Sequence, residues 1–144
     1  MSTVFAGPFI AGTDLCAGAY DENISTATVR VGALVSGGDE SALANTDFSQ
    51  DATFAVELGD GYGVPFGGTY ASGALVRSIA LRPKQRARVL VANGQTLVRG
   101  TQLGSNGDGT LSVVAVTDDT QKVLVKSLEA TTTSGVTSIL VERV

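Results

Sequence analysis

The stretch Arg86-Ala-Arg-Val-Leu-Val-Ala92, Asn93-Gly94, Gln95-Thr-Leu-Val-Arg-Gly-Thr-Gln-Leu103, Gly104-Ser-Asn-Gly-Asp-Gly109, Thr110-Leu-Ser-Val-Val-Ala-Val-Thr117 decides the fold. Runs rich in β-branched residues alternate in it with turn chemistry. The pattern continues through residues 121–128 and 136–144, which flank Glu129-Ala-Thr-Thr-Thr-Ser-Gly135. Asn-Gly and Gly-Asp-Gly favour the positive-φ conformations of tight hairpins, so each apolar run is expected to fold back on the one before it. The expected fold class is all-β, a small antiparallel β-barrel or sandwich with an extended N-terminal arm.

Alternation within the runs refines this. Successive side chains of a strand point to opposite sides, so Val123 and Val125 share one face while Lys122, Leu124 and Lys126 share the other. In the last run Thr137, Ile139, Val141 and Arg143 lie opposite Val136, Ser138, Leu140 and Glu142. Neither face is cleanly polar, which predicts a barrel packed against something outside itself, either the N-terminal half or a neighbouring subunit.

Upstream, residues 1–26 show no sustained periodicity of either kind and read as the arm. The single β-rich domain is expected over residues 27–144. Thr28-Val-Arg-Val-Gly-Ala-Leu-Val35 reads as its first strand, and residues 53–58 resemble a second, shorter one. Residues 59–73 form a glycine-rich loop carrying Tyr62, Phe66 and Tyr70, a composition that places aromatic anchors on adaptable backbone. Residues 74–82 fit a short helix or a buried strand equally well, and Pro83 ends either one. The expected contact residues are Val4, Phe5, Phe9 and Ile10 in the arm together with Tyr62, Phe66 and Tyr70 in the loop.

At 144 residues the chain is expected to make one domain that buries roughly two thirds of its unfolded surface. Cys16 is the sole cysteine, so no intrachain disulfide forms. No apolar run reaches the roughly 18 residues needed to span a bilayer, and no basic, apolar start marks a signal peptide; the expectation is a chain free of membrane. The chain contains no histidine, which removes Ser-His-Asp and Cys-His catalysis and the commonest metal ligand. The carboxylate pairs Asp21-Glu22, Asp39-Glu40 and Asp118-Asp119 are sequence neighbours beside turn residues, and adjacent side chains point apart. Residues 104–109 partly resemble a calcium loop, but Gly104 and Ala115 fall where its first and last ligands belong. No catalytic, cofactor or metal residue is therefore expected. Small trimeric β enzymes that hydrolyse dUTP share the size and strand content, but their active-site motifs are not legible.

The net charge of −4 is laid out unevenly. Residues 1–76 carry nine acidic residues and one basic, Arg30; residues 77–144 carry nine basic and five acidic. The basic cluster Arg77, Arg82, Lys84, Arg86 and Arg88 has no stacking aromatics or reading motif beside it, which disfavours nucleic acid as a partner and favours an ion-paired surface.

Three segments carry a family resemblance: Asn93-Gly-Gln-Thr-Leu-Val-Arg-Gly-Thr-Gln-Leu-Gly104, Gly109-Thr-Leu-Ser-Val-Val114, and Val123-Leu-Val-Lys-Ser-Leu-Glu-Ala-Thr-Thr-Thr-Ser-Gly-Val-Thr-Ser-Ile-Leu-Val-Glu-Arg-Val144. The succession of a strand pair, a Leu-Glu-Ala corner, a glycine and a closing Val/Ile strand resembles the capsid decoration, or cement, proteins of tailed bacteriophages. The resemblance implies a non-enzymatic virion protein on the capsid exterior, made in the bacterial host cytoplasm. Its implied partner is the major capsid protein, and it implies a homo-oligomer, a trimer ahead of a dimer. The alternative expectation is a carbohydrate- or receptor-binding module of a virion fibre or tail, with Tyr62, Phe66 and Tyr70 stacking on sugar rings.

Overall fold

A computed structural model describes residues 10–11, 19–35, 52–56, 68–115, 117 and 121–144. Among these residues every regular element is a strand. The N-terminal half supplies β1 (Ile10–Ala11), β2 (Ala19–Ile24), β3 (Val29–Arg30), β4 (Thr53–Ala55), β5 (Thr69–Tyr70) and β6 (Leu75–Ala80). Next come β7 (Arg86–Val91), β8 (Thr96–Leu97), β9 (Gln102–Ser105), β10 (Leu111–Val113), β11 (Val125–Ser127), β12 (Thr131–Thr132) and β13 (Thr137–Arg143).

The C-terminal strands make a ring. β13 pairs antiparallel with β7 on one edge and β11 on the other; β11 continues to β9, and β9 to β10. β10 returns to β7 in parallel through the single pair Leu111↔Val91. Closure through one residue pair makes this a partly open barrel, all-β as expected. Leu103, Leu111, Val125, Ile139, Val141 and Val89 point inward and are fully buried. The alternation read from the sequence puts Ile139 and Val141 inside, where these stiff branched side chains pack on a pleated surface.

The free edge of β7 is covered in pieces. Ile10 and Ala11 pair with Ala87 and Arg86, the Leu90 amide donates to Gly32 O at 3.0 Å, and the Ala92 amide donates to Leu111 O at 2.9 Å.

Outside the ring lies a three-stranded sheet in the order β2-β6-β4, each neighbour antiparallel. Its two faces serve two cores. Phe54, Ile79 and Leu81 belong to the main buried cluster with the ring residues, whereas Ala55 and Val76 pack with Val29, Val31, Val35 and Tyr70. The strand period of two explains this division, because Phe54 and Ala55 point to opposite sides. The small sheet β3-β5 covers the second face, and the Tyr70 hydroxyl donates to Val56 O at 2.9 Å.

Several expectations change in detail. Residues 28–35 do not form one strand: β3 ends at Arg30, and Gly32 turns the backbone at φ 98°, a region open to glycine, so that Leu34 can bridge to Phe54. Residues 74–82, ambiguous by periodicity, contain strand β6. Part of the expected arm, residues 19–24, pairs with β6 along its whole length.

The hairpin rule holds for β9 and β10 but fails for β7 and β8. The Asn93-Gly94 turn forms, yet Thr133 captures it: its Oγ1 donates to Ala92 O at 2.7 Å and accepts from the Gln95 amide at 2.8 Å. Asn93 Oδ1 also accepts from the Gly135 amide at 2.7 Å. β8 therefore pairs with β12, and the neighbour of β7 is β13.

Candidate functional site

The outer face of β11, β13 and β7 concentrates charge. Lys126 stands opposite Glu142 and Glu142 opposite Arg86 in the strand registers, so a cation, an anion and a cation line up across three strands. Arg86 Nε lies 3.1 Å from Glu142 Oε2, and Lys126 Nζ lies 3.5 Å from Oε1. The hydrogen bond from Arg86 holds the Glu142 carboxyl below the usual range, and Lys126 adds to this. One turn of sequence away, Arg88 Nη1 lies 3.5 Å from Glu129 Oε2. Two of the five basic residues of the cluster seen in the sequence, Arg86 and Arg88, are thus ion-paired surface.

Glu129 belongs to the Leu-Glu-Ala corner and has a second task. β11 ends at Ser127, and the Leu128 amide makes one more ladder bond to Leu140 O at 3.0 Å. The next amide on that edge, Leu140, donates at 2.6 Å to Glu129 Oε2. A side chain thereby replaces the missing strand while the main chain leaves the sheet, its bend held by Ser127 Oγ, which donates to Glu129 O at 2.7 Å. Glu129→Ala is expected to lower stability by about 1 kcal/mol or more, because the Leu140 donor loses its partner. Glu129→Gln keeps an acceptor and should restore most of that loss in urea unfolding. The Arg88 pair, exposed on both sides, contributes little of it.

Two concave features flank this face. A cleft of about 240 Å³ lies between Arg86, Lys126, Glu142 and the turn at Arg99-Gly100. A groove of about 280 Å³ runs between β3 and the β9–β10 hairpin, with Arg30, Leu90 and Asp108 among its walls. In that hairpin the Asp108 carboxylate accepts from the Thr110 amide at 3.0 Å, the Thr110 hydroxyl at 2.5 Å and Asn106 Nδ2 at 3.3 Å. Partial burial pushes the Asp108 pKa up, but the bonds from Thr110 and Asn106 outweigh it and hold the carboxyl below its ordinary value. This carboxylate is committed to the turn, as in a loop built on Asx geometry. Among the described residues no cluster of acidic, histidine or cysteine side chains is arranged to hold a metal ion.

In fold the chain is similar to the N base of the head fibre protein gp8.5 of bacteriophage phi29. The two superpose with a TM-score of 0.56 at 16% sequence identity, over 88% of this chain and 94% of that one. No protein-family model matches the chain, and a comparison with curated proteins finds no match.

Of the contact residues read from the sequence, Val4, Phe5, Phe9, Tyr62 and Phe66 lie outside the described residues. Ile10 lies on β1, its backbone paired with Ala87 at the edge of β7, beside the charged face. Tyr70, expected on the loop surface, is instead buried in the second core. Its ring fills this chain's own interior, because β5 pairs with β3 and turns residue 70 inward. What the sequence reading passed over is the Lys126-Glu142-Arg86 row. Its signal was present: oppositely charged residues on the outward parity of three consecutive ring strands.

Proposed function

We propose that this chain is a non-enzymatic structural protein of a phage head that decorates the outer surface of the capsid and stabilises the expanded shell. The observation that carries this reading is the fold shared with a head-fibre base over nearly the full length of both chains. The sequence supports it independently through the resemblance of residues 93–144 to capsid decoration proteins, and through the absence of histidine from the whole chain. The physical basis is linkage: a protein that binds one state of the shell and not its alternatives shifts the balance toward that state. If several subunits engage together, effective concentration raises avidity by roughly 10²- to 10⁴-fold over a single contact.

The same likeness favours a second reading, in which the chain is the base that seats a fibre on the head, the fibre or a loop then meeting a receptor or glycan. One experiment separates them. Purified chain is mixed with expanded shells of the parent phage that lack it, and binding is followed by co-sedimentation while shell melting is recorded. Saturable binding at a fixed copy number with a raised shell melting temperature is the expected result. Binding without any thermal shift favours the fibre base, and no binding to intact expanded shells overturns the capsid reading.

A further inference from the structure

We propose that the seam between β7 and β10 is a two-state latch, in which Thr133 and Val113 compete for the Ala92 carbonyl and Gln95 holds the seam in its opened state. In a parallel ladder the residue that donates to one position of its neighbour accepts from the position two residues further on. The Ala92 amide donates to Leu111 O at 2.9 Å, so regular continuation has the Val113 amide donating to Ala92 O. It does not. Ala92 O accepts instead from the Thr133 hydroxyl at 2.7 Å, and the Val113 amide donates at 3.0 Å to Gln95 Oε1. One side chain has taken the acceptor, and another has supplied a replacement.

The two substitutes are tied to each other. Thr133 is buried and held by main-chain bonds on both sides: its amide donates to Gln95 O at 2.9 Å, and its carbonyl accepts from the Gly94 amide at 3.1 Å. Its hydroxyl also accepts from the Gln95 amide at 2.8 Å. The Gln95 side chain is anchored more loosely, with Nε2 donating to Asn93 O at 3.4 Å.

The ring consequently stops one rung short. Val113 is 38% exposed, and its rung rests on a side chain with several rotatable bonds in place of fixed main chain. Holding such a side chain costs rotamer entropy, so this rung opens more easily than a ladder bond. The other state is reached when the Thr133 hydroxyl releases Ala92 O. The Val113 amide then takes its place in the ladder, Gln95 is freed, and the β8–β12 pair loses one of its ties to the barrel.

Amide hydrogen exchange of the full chain, resolved residue by residue by NMR, tests the latch. The Val113 amide is expected to exchange roughly tenfold or more faster than the amides paired between β7 and β13. Gln95→Ala should raise Val113 exchange by about another tenfold, the equivalent of one hydrogen bond. Thr133→Val keeps the shape of the side chain and removes its hydroxyl, so Ala92 O is freed and Val113 exchange should slow. In that background Gln95→Ala should change Val113 exchange by less than about twofold, because Val113 no longer uses the side chain. Thr133→Ser retains a hydroxyl and should behave as the parent chain. Should Thr133→Val fail to fold, Gln95→Ala carries the test, its effect being confined to Val113 and its neighbours on β10. A Val113 amide as protected as the β7–β13 ladder, faster Val113 exchange in Thr133→Val, an equal effect of Gln95→Ala with and without the Thr133 hydroxyl, or a Gln95→Ala effect spread evenly over all ladders overturns the proposal.

Discussion

Phe54→Ala is expected to remove about 3–5 kcal/mol of folding stability, the largest loss from any single truncation among the described residues. Phe54 is fully buried and sits at the centre of the contact between the two principal layers. It stands opposite Ile79 on β6, its backbone bridges to Leu34 on the other edge of β4, and its ring shares a cluster with Val89 and Ile139 of the barrel. Among the described residues no other aromatic side chain joins that cluster to collapse into the void. Against a typical total of about 5–15 kcal/mol, the loss removes roughly a fifth or more of what holds the fold. Thermal unfolding should show a midpoint lowered by roughly 10 °C. A drop of only a degree or two would mean that the β2-β6-β4 sheet adds little to the barrel. Phe54→Leu, which refills most of the space, should recover more than half.

Gly104→Ala is expected to be the next most damaging change, for the opposite reason. At this position of β9 the residue is backbone hemmed in by two neighbours: a Cβ would lie 2.5 Å from Lys122 O and 2.8 Å from Val114 Cγ2. The Val114 side chain could shift, but Lys122 O belongs to main chain held in place by the Leu124 amide, which donates to Leu103 O at 2.9 Å. One added methyl must therefore push β9 away from the approach to β11 and open the ring on that side. Overpacking of this kind costs about 1–3 kcal/mol, and Gly104→Val should exceed it. Denaturant unfolding of both variants checks the order. Gly135, with open space around its Cβ position, is a useful contrast: its substitution meets only the backbone strain of φ 73°.

The barrel strands were legible in the sequence because each carries β-branched residues between recognisable turns, and Ile139 and Val141 fell on the buried parity. Their pairing was not. Local turn chemistry predicts that neighbours in sequence become neighbours in space, but the side chain of Thr133, remote in sequence, captured the turn after β7. The strand at residues 19–24 was missed because Ala-Tyr-Asp-Glu-Asn-Ile has little intrinsic β preference; pairing with β6 defines it. The break at Gly32 was visible as a glycine, yet nothing local says that Leu34 must reach Phe54. For the site, outward parity on β7, β11 and β13 could have flagged the charged row, whereas the role of Glu129 as a substitute for a missing strand depends on a ladder that only the folded chain displays. The inward turn of Tyr70 likewise follows from the β3-β5 pairing, which composition does not reveal.

The pairing of β7 with β13 also governs how fast the molecule can form. Arg86 and Glu142 meet across 56 steps of chain, β2 finds β6 at a comparable separation, and β1 finds β7 at a still greater one. Such topologies repay the entropy of loop closure only after distant segments have met, so folding should fall in the millisecond-to-second range seen for all-β domains. Mutations that speed or slow it should cluster on the β7–β13 pairing, at Val89, Ile139 and Val141, while changes on the β3-β5 layer should alter unfolding alone.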